Sequence, residues 1–183
     1  MRKRRDPRRI TARYLESYTL HYLERYVTTT HHLRRLLRQR VNRSAAHHGD
    51  DPAEGHQLVD ALIHKLVDLG LLDDRRYAED KARALLQRGS SRRRIVQALG
   101  AKGLRGSLVD EALAAAGVDD DAELRAARTY ARKRRIGPWR EGSADWQTRR
   151  KELAKLARRG FSYDVASRVV DAPAEDWDDH SLL

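Results

Sequence analysis

The stretch HQLVDALIHKLVDLGLLDDRRYA, residues 56–78, decides the fold of this chain. Its apolar side chains recur every three or four residues, which is the spacing of one face of an amphipathic helix: Leu58, Val59, Leu62, Ile63, Leu66 and Leu69. Gly70 can end that helix, because glycine adopts the left-handed conformation at little cost. Asp73 or Asp74 can cap a following helix by accepting a hydrogen bond from an unpaired backbone N–H. The stretch therefore predicts two consecutive helices joined by a tight turn.

Similar helix-ending and helix-capping residues recur over the whole chain, and together they predict nine helices. Thr28–Thr30 can cap the second helix, and Ser90 or Ser91 can cap the fifth. The small, polar composition of residues 43–55 predicts an exposed loop, and residues 136–144 predict another. Because β-branched residues are few, a large sheet is disfavoured, and the expected fold class is all-α. The predicted helices span about residues 10–27, 29–42, 56–69, 74–88, 91–102, 106–116, 120–135, 145–159 and 162–171.

An internal repeat groups these helices in threes. The pattern Leu99-x-x-x-Gly103 recurs 57 residues later as Leu156-x-x-x-Gly160-Phe161, and a weaker copy without the glycine lies 62 residues upstream. A three-helix unit buries little surface alone and needs stacked neighbours, so we expect an elongated tandem array of three three-helix repeats. The predicted parts are a basic N-terminal arm (1–9), repeat 1 (10–70, with the loop 43–55), repeat 2 (71–117), repeat 3 (118–171) and an acidic tail (172–183).

Basic residues dominate the charge of the chain, with 38 Lys and Arg against 27 Asp and Glu, for a net charge of +11. They form clusters in each predicted repeat, and a basic stripe attracts a polyanion with salt-sensitive affinity. A solvated face that keeps the protein soluble is the competing interpretation. The candidate filament- or DNA-binding residues are Arg34, Arg35, Arg38, Arg92, Arg93, Arg94, Arg132, Lys133, Arg149 and Arg150.

Aromatic residues give a second candidate surface in the first helix, where four tyrosines follow one another at i+4 spacing: Tyr14, Tyr18, Tyr22 and Tyr26. Aromatic faces can stack on single-stranded bases. The same stripe can pack against neighbouring helices with its hydroxyls at the solvent edge. We favour the packing interpretation.

Catalytic and metal-binding patterns are absent from the sequence. The chain has no Cys, which excludes disulfides, cysteine nucleophiles and thiolate-bound metals. Its eight histidines lack a ligand spacing, and there is no glycine-rich phosphate loop or nucleophile elbow. No apolar run approaches the roughly 18 residues that span a membrane, and no secretory signal opens the chain. We expect a non-enzymatic protein of a reducing compartment, without cofactor, metal site or membrane partner.

Several ordered motifs carry a resemblance to a known family. They are Tyr22-Leu-Glu-Arg25, Leu69-Gly-Leu-Leu-Asp-Asp-Arg-Arg-Tyr-Ala78, Arg94-Ile95, Lys102-Gly-Leu104, Ile136-Gly-Pro-Trp-Arg140 and Ala157-Arg-Arg-Gly-Phe161. In this order and spacing they resemble the RecX regulatory proteins, and the stretch from Arg9 to Leu15 resembles the longer alphaproteobacterial members. The motif residues with a structural role are Asp73, Asp74, Tyr77, Ala78, Leu99, Gly103, Leu156, Gly160 and Phe161.

The resemblance implies a cytoplasmic, all-helical regulator of the RecA recombinase. Such a protein binds RecA and the RecA–single-stranded DNA filament, and it mostly inhibits recombinase, ATPase and co-protease activity in DNA repair and the SOS response. Direct contact with single- or double-stranded DNA is compatible with it. The alternative from another class is a helical-repeat nucleic-acid-binding protein that acts through DNA alone. A metal-dependent enzyme is disfavoured by the missing ligand patterns.

Overall fold

The computed structural model describes residues 6–142 and 144–173. Over these residues the chain forms nine α-helices and one short 3-10 helix, and contains no strand, so the all-α prediction is confirmed. The helices are α1 (Ala12–Leu23), α2 (Thr30–His48), α3 (Pro52–Asp68), α4 (Asp74–Gln87), α5 (Arg92–Gly100), α6 (Ser107–Ala115), α7 (Asp120–Arg134), α8 (Trp146–Arg158) and α9 (Tyr163–Val170), with the 3-10 helix at Gly137–Trp139.

Side-chain caps begin the helices where the sequence predicts them. Thr29 caps α2 by accepting from the backbone N–H of His32 (3.1 Å), and Ser91 caps α5 by accepting from that of Arg94 (3.3 Å). Asp73 caps α4 through the N–H of Arg76 (2.9 Å). Each bond satisfies one of the backbone donors that a helix leaves unpaired at its first turn.

The prediction of an exposed loop at residues 43–55 is wrong. Helix α2 continues to His48 and α3 begins at Pro52, so only three residues separate the two helices. Ala45 is buried, and the Ser44 hydroxyl donates to the carbonyl of Arg8 (2.9 Å). The small residues that suggested a loop are compatible with a helix, because alanine has the highest helix propensity. Their small side chains also allow close packing.

The first compact unit comprises the described residues up to Tyr77 together with Lys102–Leu104. Helix α3 packs against both α1 and α2, and a β-carbon at Gly55 would lie only 2.6 Å from a methyl group of Val41. The missing side chain at Gly55 therefore permits α2 and α3 to approach closely. The buried residues of this core are Leu15, Leu33, Leu37, Val41, Val59, Leu62, Ile63, Leu66 and Leu72.

The second compact unit comprises Ala78–Ala101 together with the described residues from Arg105 onward. Helix α9 packs against α7 and α8, and α5 packs against α6. The buried residues of its main core are Leu124, Ala126, Ala127, Ala131, Ile136, Leu156, Phe161, Val165, Ala166, Val169 and Val170.

The further organisation of the chain into three repeats stays a prediction. Residues 1–5 of the basic arm and 174–183 of the acidic tail lie outside the described residues. In the part of the chain that is described, no helix is long and apolar enough to cross a bilayer.

Candidate functional site

The paired acids of the central motif have different partners. Asp73 caps its own helix, as described above, whereas the carboxylate of Asp74 points to the start of α2. It accepts a bond from the backbone N–H of Thr30 (2.8 Å) and another from the Thr30 hydroxyl (2.7 Å). A carboxylate at a helix N-terminus also interacts favourably with the helix dipole. Asp74 therefore holds the start of α2, although it lies 44 positions after Thr30 in the chain.

The cap of α2 makes a second long-range contact. The Thr29 hydroxyl donates to the carbonyl of Lys102 (2.7 Å) while it accepts from α2. The next residue, Gly103, has φ +84°, and a β-carbon there would collide with the side chain of His31. We call this arrangement the cap–carbonyl joint: a helix cap bonded to the carbonyl before a glycine that lies against the same helix.

A second cap–carbonyl joint lies in the other unit. The Ser91 hydroxyl caps α5 and donates to the carbonyl of Arg159 (2.7 Å). Gly160 has φ +88°, and a β-carbon there would lie 2.7 Å from the Ser91 hydroxyl and 3.2 Å from Cβ of Arg93. The two glycines that reveal the repeat in the sequence thus perform the same task twice.

The remaining motif residues are structural. Ala78, Leu99, Leu156 and Phe161 are buried, and Tyr77 is half-buried. Burial, with the Tyr22 hydroxyl as a smaller contribution, raises the pKa of Tyr77 above its ordinary value.

One carboxylate on α3 binds two of the three predicted binding residues of α2. Asp60 accepts from Arg34 (3.0 Å) and from Arg38 (2.7 Å). Burial raises the pKa of Asp60, but the hydrogen bonds and charges of Arg38 and Arg34 outweigh it, so the pKa lies below its ordinary value. These two arginines therefore stabilise the α2–α3 contact, and their charge is partly neutralised.

Arg35, the third predicted binding residue on α2, is exposed. Its guanidinium lies 3.3 Å from Nδ1 of His32. Burial first, and then the charges of Lys102, Arg35 and the neighbouring His31, lower the pKa of His32. The lowered pKa favours the neutral imidazole, whose unprotonated nitrogen can accept from Arg35. Of the three predicted binding residues on α2, Arg35 is exposed, whereas Arg34 and Arg38 are half-buried.

The clusters on α5 and α7 are exposed. Near the start of α7, burial raises the pKa of Glu123 against the opposing effect of the backbone and charge of Arg92. The predicted residues that lie on these two surfaces are Arg92, Arg93, Arg94, Arg132 and Lys133.

On α8 the two predicted residues differ. Arg149 binds Asp171 through two hydrogen bonds (2.7 and 2.6 Å). Those bonds come first among the causes that raise the pKa of Arg149, and they also lower the pKa of Asp171. Arg150, one residue later, is exposed.

The tyrosine stripe of α1 contributes mainly to packing. Tyr18 and Tyr22 lie against the core of the first unit. The guanidinium of Arg40 lies 3.9 Å from the ring centroid of Tyr18 and donates to the Tyr14 hydroxyl (2.6 Å). Burial lowers the pKa of Arg40, but hydrogen bonding and charge from Tyr18 and Tyr14 together outweigh it, so the pKa lies above its ordinary value. Only Tyr26 is exposed, so the stripe offers no continuous stacking platform.

Sequence reasoning missed a buried ion pair in the second unit. Arg140 donates to Glu152 (2.8 Å) and to the carbonyl of Val170 (3.0 Å), and Glu152 also accepts from the backbone of Gly137 (3.2 Å). The signal was present, since Glu152 precedes the buried Leu156 by four residues and therefore shares its helix face. Within the described residues, no group of three metal-binding side chains occurs.

Comparison with known proteins assigns the chain to a family. The family model "RecX, second three-helix domain" matches residues 73–113. A regulatory protein RecX from Myxococcus xanthus is 42% identical over 167 residues, which cover 91% of this chain and 89% of that protein. The chain belongs to the RecX family. RecX from Agrobacterium fabrum is 32% identical, over 78% of this chain and 76% of its own. Because this identity is lower than that to the Myxococcus protein, the alphaproteobacterial assignment is not supported.

Solved RecX structures share the fold. A crystal structure of regulatory protein RecX has a TM-score of 0.66 at 24% identity, and covers 88% of this chain and 72% of its own. RecX from Lactobacillus salivarius has a TM-score of 0.64 at 23% identity, with 87% and 94% covered. At these identities the similarity shows the helical fold alone.

Proposed function

We propose that the protein is a cytoplasmic, non-enzymatic regulator that binds RecA and the RecA–single-stranded DNA filament. It mostly inhibits the recombinase, ATPase and co-protease activities, in DNA repair and the SOS response. The observation that carries the proposal is the RecX relationship, which extends over nine-tenths of the chain. The three three-helix repeats inferred from the sequence, at 10–70, 71–117 and 118–171, belong to the same proposal.

The exposed basic residues support this role. A RecA–DNA filament presents phosphates, which attract Arg and Lys by releasing counterions. Arg35 on α2, Arg92–Arg94 on α5 and Arg150 on α8 all lie at the surface. A ligand that prefers one state of the filament shifts the filament population by its differential affinity. Regulation therefore requires binding and no chemistry by this chain.

ATP hydrolysis by RecA on single-stranded DNA tests the proposal. The protein should slow hydrolysis at concentrations below those of RecA, and Arg35→Glu should weaken that inhibition. Arg105→Glu is the matched control, since Arg105 is exposed and lies outside the clusters. Charge reversal at Arg34 or Arg38 is less informative, because it also breaks their contacts with Asp60. A folded sample without effect at saturation would refute the proposal.

The alternative function is action through DNA alone. A pull-down with RecA in the absence of DNA, repeated at raised salt, distinguishes direct regulation of RecA from action through DNA. Binding through DNA phosphates requires DNA and weakens steeply with salt. Capture of RecA that persists at raised salt favours direct regulation. Loss of all capture without DNA favours the alternative.

A further inference from the structure

The exposed face of α8 carries charge of a single sign. Its basic residues at the surface are Arg150, Lys151, Lys155 and Arg158. The single acid of the helix, Glu152, has a side chain only 5% exposed and is bonded to Arg140 inside the unit. Among the described residues, none forms an ion pair with those four basic side chains. By contrast, two of the basic residues of α2 are bound to Asp60.

An exposed tryptophan begins this basic helix. Trp146 is 67% exposed and lies one turn before Arg149 and Arg150, so the three share one side of the helix. Tyr163, the first residue of α9, is 69% exposed, and its hydroxyl contributes to the raised pKa of Arg149. Aromatic rings that are two-thirds exposed contribute little to the core. Their apolar faces are instead available to a ligand, beside a strip of cations.

We propose that α8 binds single-stranded DNA, with one base stacked on Trp146 and the backbone phosphates along Arg150, Lys151, Lys155 and Arg158. Tyr163, at the start of the helix that packs against α8, supplies a second exposed aromatic ring. The combination of an exposed aromatic ring with a cationic track is the one that binds single strands, because stacking accepts any base whose face is free. The proposal rests on the proposed function for its biological setting, but its test does not require RecA.

Single strands fit the surface better than duplex DNA or an acidic protein. The bases of a duplex are stacked on one another, so an indole would have to force two base pairs apart at a cost of a few kcal/mol. An acidic protein surface would satisfy the cations but leave the Trp146 ring without a stacking partner. The geometry of α8 thus matches a strand that offers both phosphates and unstacked bases.

Fluorescence anisotropy with a labelled oligothymidine tests the proposal on the full chain. Trp146→Ala should weaken binding by roughly 5- to 150-fold, the effect of one lost base stack, whereas Trp146→Phe should retain most of the affinity. Tyr26→Ala is the matched control, because it removes an exposed aromatic residue outside α8. Each of Arg150→Ala and Arg158→Ala should reduce the slope of log affinity against log salt by about 0.7.

Intrinsic fluorescence gives an independent reading. The oligonucleotide should quench the tryptophan emission of the unaltered protein, and the quenching should disappear in Trp146→Phe. Three outcomes would each overturn the proposal. They are unchanged affinity in Trp146→Ala, quenching that persists in Trp146→Phe, and tighter binding of a duplex that depends equally on Trp146. If the unaltered protein binds the oligonucleotide through Trp146 but does not inhibit RecA, the proposed function is refuted and this inference stands.

Discussion

Asp74 accepts hydrogen bonds from both the backbone N–H and the hydroxyl of Thr30, at 2.8 and 2.7 Å. The N-terminus of α2 is therefore held by a carboxylate that the chain supplies 44 residues later. Because Thr29 caps the same helix and reaches the carbonyl of Lys102, two adjacent residues attach the start of α2 to separate later segments. The motif acids serve the placement of α2 as much as the capping of α4.

Removal of the Asp74 carboxylate should destabilise the protein. We expect Asp74→Ala to lower the free energy of unfolding by about 1–2 kcal/mol, because two donors at the start of α2 lose their acceptor. Urea denaturation measures this change. Asp80→Ala, in the same helix, removes an exposed acid bonded only to Arg83 among the described residues, and should cost less than about 1 kcal/mol. Equal losses would contradict the role of Asp74.

The glycine of the first cap–carbonyl joint should resist substitution. Gly103→Ala places a left-handed residue against His31, and we expect a loss of about 2–4 kcal/mol from backbone strain and collision combined. Gly70→Ala is the matched control: its φ is +68°, and no atom lies within 4 Å of a β-carbon there. Its loss should be near the strain alone, about 1–2 kcal/mol. Thermal unfolding of both variants isolates the effect of the contact.

The Asp60 pairing predicts a pH dependence in the acid range. Its pKa is lowered in the folded protein, so its contribution is complete above the ordinary carboxyl value near 3.9 and is lost as the pH falls through the lowered value. The free energy of unfolding should therefore decrease in that window, and Asp60→Asn should flatten the decrease. Asp68→Asn, in the same helix, is the control. Parallel curves for Asp60→Asn and the unaltered protein would exclude the effect.

Local signals in the sequence predicted the helices and their caps. Thr29 and Ser91 could be assigned as caps because a hydroxyl before an apolar-periodic segment is a local pattern, visible without knowledge of the partner. Their second bonds, to carbonyls about 70 residues away, could not be predicted, since nothing near the cap identifies the acceptor. The recurring glycines showed only that a special backbone position existed.

The loop prediction failed because tertiary packing overrides local composition. Residues 43–55 contain the small and polar residues that are typical of a loop. Ala45 is nevertheless buried, and the side chain of Val41 packs against the backbone of Gly55. That fit depends on two helices together, so a scan along one segment does not detect it.

The basic clusters illustrate a second limit. Arg34, Arg35 and Arg38 carry identical charges and lie within five residues, but Asp60 binds two of them and leaves Arg35 exposed. The sequence predicted where positive charge accumulates. Which charges remain available to a ligand depended on the face that α3 presents.

The two cap–carbonyl joints enclose chain segments of unequal size, since their bonded residues are 73 and 68 positions apart. The attachment depends on a hydroxyl, a carbonyl and a glycine, and not on the number of residues between them. Insertions and deletions in the exposed turns between the two bonded residues are therefore compatible with an intact attachment, because lengthening a flexible loop costs little entropy. A chain of this fold can therefore change the length of its connecting turns and keep both internal attachments.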